Sequence, residues 1–375
     1  MRSRRALPVL TAVLLGALHS GARAEEEIRM AVARVNGLVS VSGTDLAAED
    51  IVTGDVLAQG KRVITVGADD AGLTVMGKPT RARRVIIGGK EGVAYGGRLF
   101  RGRLEALFQK VRGRSQVLLV HPLPLETYLV GIVSGELPPS WPLEAMKAQA
   151  VAARTYAVYQ KFHAPDRPYH MESGVLDQVY GGVQRENATA RAAVAATTGQ
   201  VLTWRRRPIR AYFHACCGDT TESAEDGWGT TEPYLKVVAC GFCKDCGRYT
   251  WTLKLTPTEL GDALREARLD VGAVQDVTVP RRTRTGRAAM VAVAGSARTR
   301  TMHAEDLRRI LGYDRLRSRM FTVKREGGNL VFDGKGSGHA VGLCQWGARG
   351  MGQQGMDYRT ILGRYYSGAR IMRMY

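Results

Sequence analysis

From Ile28 to Val120 apolar and polar residues alternate in short runs, as in Met30-Ala31-Val32-Ala33-Arg34-Val35, Arg62-Val63-Ile64-Thr65-Val66 and Arg84-Val85-Ile86-Ile87, with Gly, Asp and Lys-Pro turns between them. A period of two over short runs predicts half-buried strands, so the chain opens with a β-rich region. Arg101 to Ala106 and Ser115 to Val120 read as two more strands, leading into a helix of one to two turns over Leu125 to Val133. The pattern then changes. From Ser140, a good N-cap type, with Pro142 in the first turn, a helix is predicted to about Lys161; its alanines at 145, 148, 150, 152, 153 and 157 leave little bulk and let neighbours approach closely. Such a helix belongs at the centre of a fold.

Further on, a helix over Asn187 to Thr198 stops at Gly199 and feeds strands Gln200 to Trp204 and Ile209 to His214. A separate α/β stretch, about 251–317, opens with strand Trp251 to Leu255 and a capping box at Thr256-Pro257-Thr258-Glu259. The C-terminal part reads as strand Asn329 to Phe332, a Gly-rich loop over Gly334 to Gly342, a helix to about Gly352, a helix capped by Asp357, and a last strand from Ala369 to Met374. The expected fold is α+β: a β-rich region over 25–100 followed by a mixed α/β domain over 101–375 built on the Ala-rich helix.

Residues 1–24 change the cellular picture. Arg2, Arg4 and Arg5 form a positive n-region, Ala6 to Leu18 an apolar core, and Ala22-Arg23-Ala24 a cleavage signal. The apolar run is short for a membrane span, which takes about 20 residues, so a signal peptide cleaved after Ala24 is expected. Export to the periplasm or cell envelope follows. The net charge of +19 would suggest nucleic acid in a cytosolic protein. For an exported chain nucleic acid is excluded, and peripheral contact with anionic envelope surfaces is the counterpart expectation. Export also bears on the six cysteines, 216, 217, 240, 243, 246 and 344, since an oxidising compartment favours disulfides.

Candidate chemistry concentrates at Glu136-Leu137-Pro138-Pro139-Ser140-Trp141, a lone carboxylate in a proline-stiffened loop with an apolar wall able to raise its pKa. Lys147 and Arg154, seven residues apart on the following helix, share one face with Val151 and Val158 and would aim two cations at that loop or at substrate. Cys240-x2-Cys243 has zinc-knuckle spacing, and four thiolates make a common closed zinc site.

These residues are also where a resemblance lies. Glu136 to Tyr156, Gln178-Val179-Tyr180-Gly181, His214-Ala215-Cys216-Cys217-Gly218-Asp219-Thr220-Thr221-Glu222 and Gly336-Ser337-Gly338-His339-Ala340-Val341-Gly342-Leu343-Cys344-Gln345-Trp346-Gly347 resemble, in order, the motifs of the SpoIID/LytB family. Its members are exported proteins that cleave peptidoglycan or help to cleave it. The resemblance spans about Arg101 to Tyr375 and implies a lytic transglycosylase, in which one carboxyl group is acid and then base and a 1,6-anhydro-muramic end results. It implies Glu136 as that group and Lys147, Arg154, Gln178, Tyr180, His214, His339 and Gln345 as substrate-binding residues. Tyr128, Trp141, Trp228 and Trp346 are candidate sugar platforms. One branch of the family carries a Cys/His zinc cluster just before the Gln; here Met171 to Val175 stand there with only His170 near, so that site is not carried over.

The resemblance further implies that Cys217, Cys240, Cys243 and Cys344 meet, as two disulfides or as a structural zinc site; no cofactor is required for the reaction. Peptidoglycan glycan strands are the expected partner. Two rival readings remain: a non-catalytic glycan-binding enhancer of a cell-wall amidase, and a peptidoglycan hydrolase using Cys344 with His214 or His339.

Overall fold

The computed structural model describes residues 26–173 and 180–375; the leader expected over 1–24 and Gln178 lie outside them. Helices and several sheets together make the chain α+β. The helices are α1 (Leu125–Glu136), α2 (Leu143–His163), α3 (Ala188–Ala196), α4 (Ala224–Trp228), α5 (Pro257–Glu266), α6 (Ala304–Leu311), α7 (Gln345–Gln353) and α8 (Tyr358–Tyr365). Among the described residues no helix is long and apolar enough to cross a membrane.

The alternating N-terminal runs form one large, mainly antiparallel sheet. Strand Glu27–Val35 pairs with Arg114–Pro124, that with Arg103–Val111, and the order continues through Arg84–Gly88, Val39–Asp50 and Val56–Ala68. Every second residue points inward, and Ile28, Met30, Val41, Ile64, Val66, Val85 and Ile87 are buried. The sheet does not stop near residue 100. Tight turns at Gly102 and Arg112-Gly113, all at positive φ, fold Arg103–Pro124 back onto the same sheet, which then hands the chain to α1.

The Ala-rich helix divides two cores. Met146, Ala150, Ala153, Tyr156 and Ala157 face the N-terminal sheet and α1, whereas Ala145, Ala148, Val151 and Ala152 face the cysteines, α7 and α8. Between Ala145 and Ala157 the helix is buried on both of these sides, and it touches α1, α3, α7, α8 and strand Gln200–Trp204. The strand is hooked on by Thr155, whose hydroxyl accepts the Leu202 N–H at 2.8 Å. The predicted Ser140 N-cap is displaced: the cap residue is Pro142, without a side-chain bond, because Trp141 N–H closes a turn onto Pro138 O at 3.1 Å. Asn187, Thr256 and Asp357 do cap their helices through their side chains.

Residues 250–335 form a lobe with its own core of Trp251, Leu260, Leu264, Val291, Val293, Leu307 and Phe332. It extends past Arg317 because Asn329–Lys335 is the central strand of its sheet, between Thr250–Leu255 and Phe321–Glu326. Buried polar bonds fix the lobe to the body. Glu222 accepts the hydroxyls of Thr283 and Thr285 at 2.7 Å each, and Arg287 donates to Cys217 O at 2.7 Å.

Candidate active site

Glu136 is the last residue of α1 rather than part of the loop beyond it. Leu137 N–H still bonds Val133 O at 3.0 Å while its own backbone is already extended, and the two prolines then bar any further helix. The carboxylate therefore stands on a rigid element. Its Oε2 accepts Nε2 of Gln345 at 2.9 Å, across 209 residues of sequence. Gln345 opens α7, and its neighbour Trp346 packs edge-on against Trp141 with ring centroids 5.2 Å apart. The two sequence segments that carried the strongest motifs thus meet at this carboxylate.

The Gly-rich loop reaches Gln345 by a route only its backbone allows. At Gly342 (φ +73°) a Cβ would collide with Tyr212 O, and Ala340 holds a left-handed conformation (φ +68°) that costs a residue with a Cβ roughly 1–2 kcal/mol. Within the loop His339 Nε2 donates to Phe213 O at 2.8 Å, while Nδ1 accepts the Val341 N–H at 3.1 Å. Both nitrogens are used by one neutral tautomer, and burial pushes the imidazole pKa down to about 3. His214, almost wholly buried, lies with its ring centroid 5.4 Å from that of His339 and bonds Val341 O at 3.2 Å. Burial and then the His339 ring hold it neutral as well.

The other expected substrate contacts sit elsewhere. The Arg154 side chain has no exposed surface; Nε and Nη2 form a bidentate pair with Glu126 at 2.9 and 2.7 Å, and Nη1 donates to Gln200 O at 3.2 Å. Glu126 also accepts the Tyr375 hydroxyl at 2.6 Å, so the group ties α1, α2, strand Gln200–Trp204 and Tyr375 together. Lys147 donates to Glu144 Oε1 at 2.6 Å, and Glu144 Oε2 accepts the Tyr358 N–H at 2.9 Å, which seats the start of α8 on α2. Tyr180 is stacked between Tyr128 and Phe100 inside the first core, where burial pushes its phenol up to about 12. Sequence spacing gave the shared helix face of Lys147 and Arg154, and it also held the i,i+3 partner Glu144 of Lys147, but nothing in it signalled Glu126, which comes from α1 and claims Arg154.

Two expectations follow. Arg154→Ala leaves Glu126 without its cation and should cost about 3–5 kcal/mol of stability, read by urea denaturation; a change under 1 kcal/mol would show that the pair holds nothing together. Histidines kept neutral give the second. Burial drives the pKa of His121 and His170 down to about 4 each, besides His339 and His214. With folded values below the unfolded value of about 6.5, the unfolded state binds more protons in between, so stability falls as pH drops through 6.5 toward 4. For fully buried His121 that amounts to about 3 kcal/mol. Denaturation at pH 7.5 and 4.5 checks it, and a His121→Phe variant should flatten part of the slope.

All six cysteines are buried and unpaired. Sγ atoms of Cys217, Cys240, Cys243 and Cys344 all lie within 4.8 Å of one another, with Cys217 and Cys243 at 3.6 Å. Four mutual neighbours describe a tetrahedron better than two separate bridges, for which paired sulfurs would lie about 2 Å apart. Cys344 Sγ accepts the N–H groups of Cys217 at 3.3 Å and Gly347 at 3.4 Å, the second of these capping α7. Burial, then the neighbouring thiols, push the Cys344 thiol well up. Its sulfur lies within the four-thiol cluster with no exposed surface, out of a substrate's reach, which speaks against the cysteine-hydrolase reading.

Against known proteins, the family model described as stage II sporulation protein (SpoIID) matches residues 113–204, and a model of a domain of unknown function (DUF8618) matches 226–342. An uncharacterized protein of Brachyspira hyodysenteriae is 35% identical over 257 residues, 68% of each chain. The stage II sporulation protein D of Bacillus amyloliquefaciens is 32% identical, covering 67% of this chain and 75% of its own. An amidase enhancer of Bacillus subtilis is 28% identical over 65% of this chain and 40% of its own. The first match spans α1, α2 with its preceding loop, α3 and strand Gln200–Trp204, the elements that carry Glu136 and Lys147 and Arg154. The chain belongs to the SpoIID/LytB family of stage II sporulation protein D.

Proposed function

We propose that the chain is an exported lytic transglycosylase of peptidoglycan, with Glu136 as its single acid and base. The observation that carries this reading is the Glu136 carboxylate at the rigid end of α1, oriented by Gln345 and flanked by the Trp141–Trp346 pair. As an acid, Glu136 gives its proton to the glycosidic oxygen as the C1–O bond of the muramic residue breaks. The resulting carboxylate then takes the proton of the same sugar's 6-hydroxyl while O6 bonds to C1, which regenerates the acid and leaves a 1,6-anhydro ring. No water and no second carboxylate enter. Carboxylates on the flanking helices are committed elsewhere, Glu126 to Arg154 and Glu144 to Lys147 and α8. In this account Arg154 and Lys147 are positioning residues, holding α1, α2 and α8 in register beneath the site.

A structural zinc ion fits Cys217, Cys240, Cys243 and Cys344. A tetrahedron with Zn–S near 2.3 Å has sulfurs about 3.8 Å apart, close to the separations found. Held as thiolates, four buried sulfurs would need a cation, and the two N–H donors on Cys344 Sγ would then serve a charged sulfur. Such an ion would clamp the turn after His214 to the start of α7, and thereby Gln345 to Glu136. The name of the amidase-enhancer relative keeps a partner cell-wall amidase as the second reading. Digestion of purified sacculi by the mature chain alone separates the two: anhydro-muramic ends support cleavage, and no release without added amidase supports the enhancer.

A further inference from the structure

We propose that the cavity between α4 and the lobe of residues 250–335 is a sugar subsite that seats an N-acetylated amino sugar on the face of Trp228. The inference rests on the glycan-cleaving reading and extends it to where the strand runs. The cavity measures about 440 Å³, and among its lining residues are Asp226, Trp228, Arg281, His303, Glu305 and Arg319. That volume lies in the usual range for a small-ligand site.

Three features point to a neutral polyhydroxy ligand. Trp228 is 38% exposed, yet it is held firmly: its ring packs 4.5 Å from Tyr212 and 5.0 Å from His339 by centroids. The short helix beneath it is closed at both ends, Ser223 Oγ accepting the Asp226 N–H at 3.1 Å and Gly229 ending it in the left-handed region. A rigid indole with a free face suits the apolar C–H face of a pyranose.

The second feature is Arg319. It is 5% exposed, and its Nε finds no hydrogen-bond partner among the described residues, the nearest carboxylate oxygen, on Glu305, standing 3.7 Å away. A buried donor left unpaired costs about 1–3 kcal/mol, and a small shift of the side chain would let an acetamido or hydroxyl oxygen in the cavity satisfy it. Third, carboxylates and guanidinium groups of both signs line the space, and Asp226 and Glu305 already pair with Arg284 and Arg308. Neither a free anion nor a free cation is favoured there, while hydroxyls, which donate and accept, match both kinds of group.

The Gly-rich loop links the cavity to the reactive centre, presenting His339 to Trp228 at one end and delivering Gln345 to Glu136 at the other. A glycan bound across Glu136 would therefore lay one of its sugars over the indole.

The test uses the full mature chain carrying Glu136→Gln, so that nothing is cut, with tri-N-acetylglucosamine as probe and calorimetry as readout. Trp228→Ala should weaken binding about tenfold, a change of about 1.4 kcal/mol, and Arg319→Lys, which keeps charge but removes Nε–H, should weaken it several-fold, both with unchanged circular dichroism. Absence of trisaccharide binding, or unaltered affinity in folded Trp228→Ala, overturns the subsite. The catalytic reading is scored separately on sacculi with Glu136 restored. Anhydro products with unaltered Trp228→Ala binding would sink the subsite alone, whereas no cleavage with Trp228-dependent binding would sink the catalytic reading alone.

Discussion

Glu136→Gln should reduce glycan cleavage by at least 10²- to 10⁴-fold, the usual cost of losing a positioned acid and base, while leaving the fold intact. The amide is isosteric with the carboxylate, and its carbonyl can still accept the Gln345 N–H that orients the native group. What disappears is the titratable proton. Among the described residues, Glu126 and Glu144 on α1 and α2 are held by Arg154 and Lys147 and are not free to take over. The loss should therefore appear as a fall in kcat with little change in glycan affinity, followed by chromatography of the anhydro-ended products of digested sacculi. Activity within threefold of the native chain would assign the proton transfers to another group.

Removing the metal should have the largest effect on stability. If Cys217, Cys240, Cys243 and Cys344 hold one zinc ion, their binding free energy is also folding free energy, on the order of 10 kcal/mol at neutral pH for structural sites. Chain purified without chelator should carry one zinc per molecule by elemental analysis. Cys344→Ser should lower the melting temperature sharply and abolish cleavage together, since Cys344 is both a ligand and the cap of the helix that starts with Gln345. Cys246→Ser, outside the four, should keep the metal. Metal-free protein with four titratable thiols blocked by disulfides would replace the ion by bridges and leave the clamp itself standing.

How far the sequence could be read depended on what each signal reports. Alternation and turn residues report local geometry, and so strands such as Arg84–Gly88 and the caps Thr256 and Asp357 were legible. The α+β class followed from them. Alanine spacing gave the centrality of α2 for a sound reason, since only small side chains allow two cores to close on one helix. Long-range pairing was not legible. Glu126 reaches Arg154 across 28 residues and Gln345 reaches Glu136 across 209, and no periodicity encodes either.

The same limit explains why Lys147 and Arg154 read as substrate contacts. A shared helix face states direction but not what occupies the space it points to, and a wholly buried guanidinium has protein there. The family resemblance did better with the cysteines, since it carried which four of the six meet. The lobe over 250–335 carried no chemical signal at all, although its seam with α4 places Arg319 beside Trp228.

The central claim is that Glu136 cleaves glycan by anhydro-ring formation, and mass spectrometry of the products from purified sacculi tests it most directly. The account predicts muropeptides ending in 1,6-anhydro-muramic acid with native chain and none with Glu136→Gln. Reducing muramic ends, or release of peptides alone when an amidase is added, would contradict it.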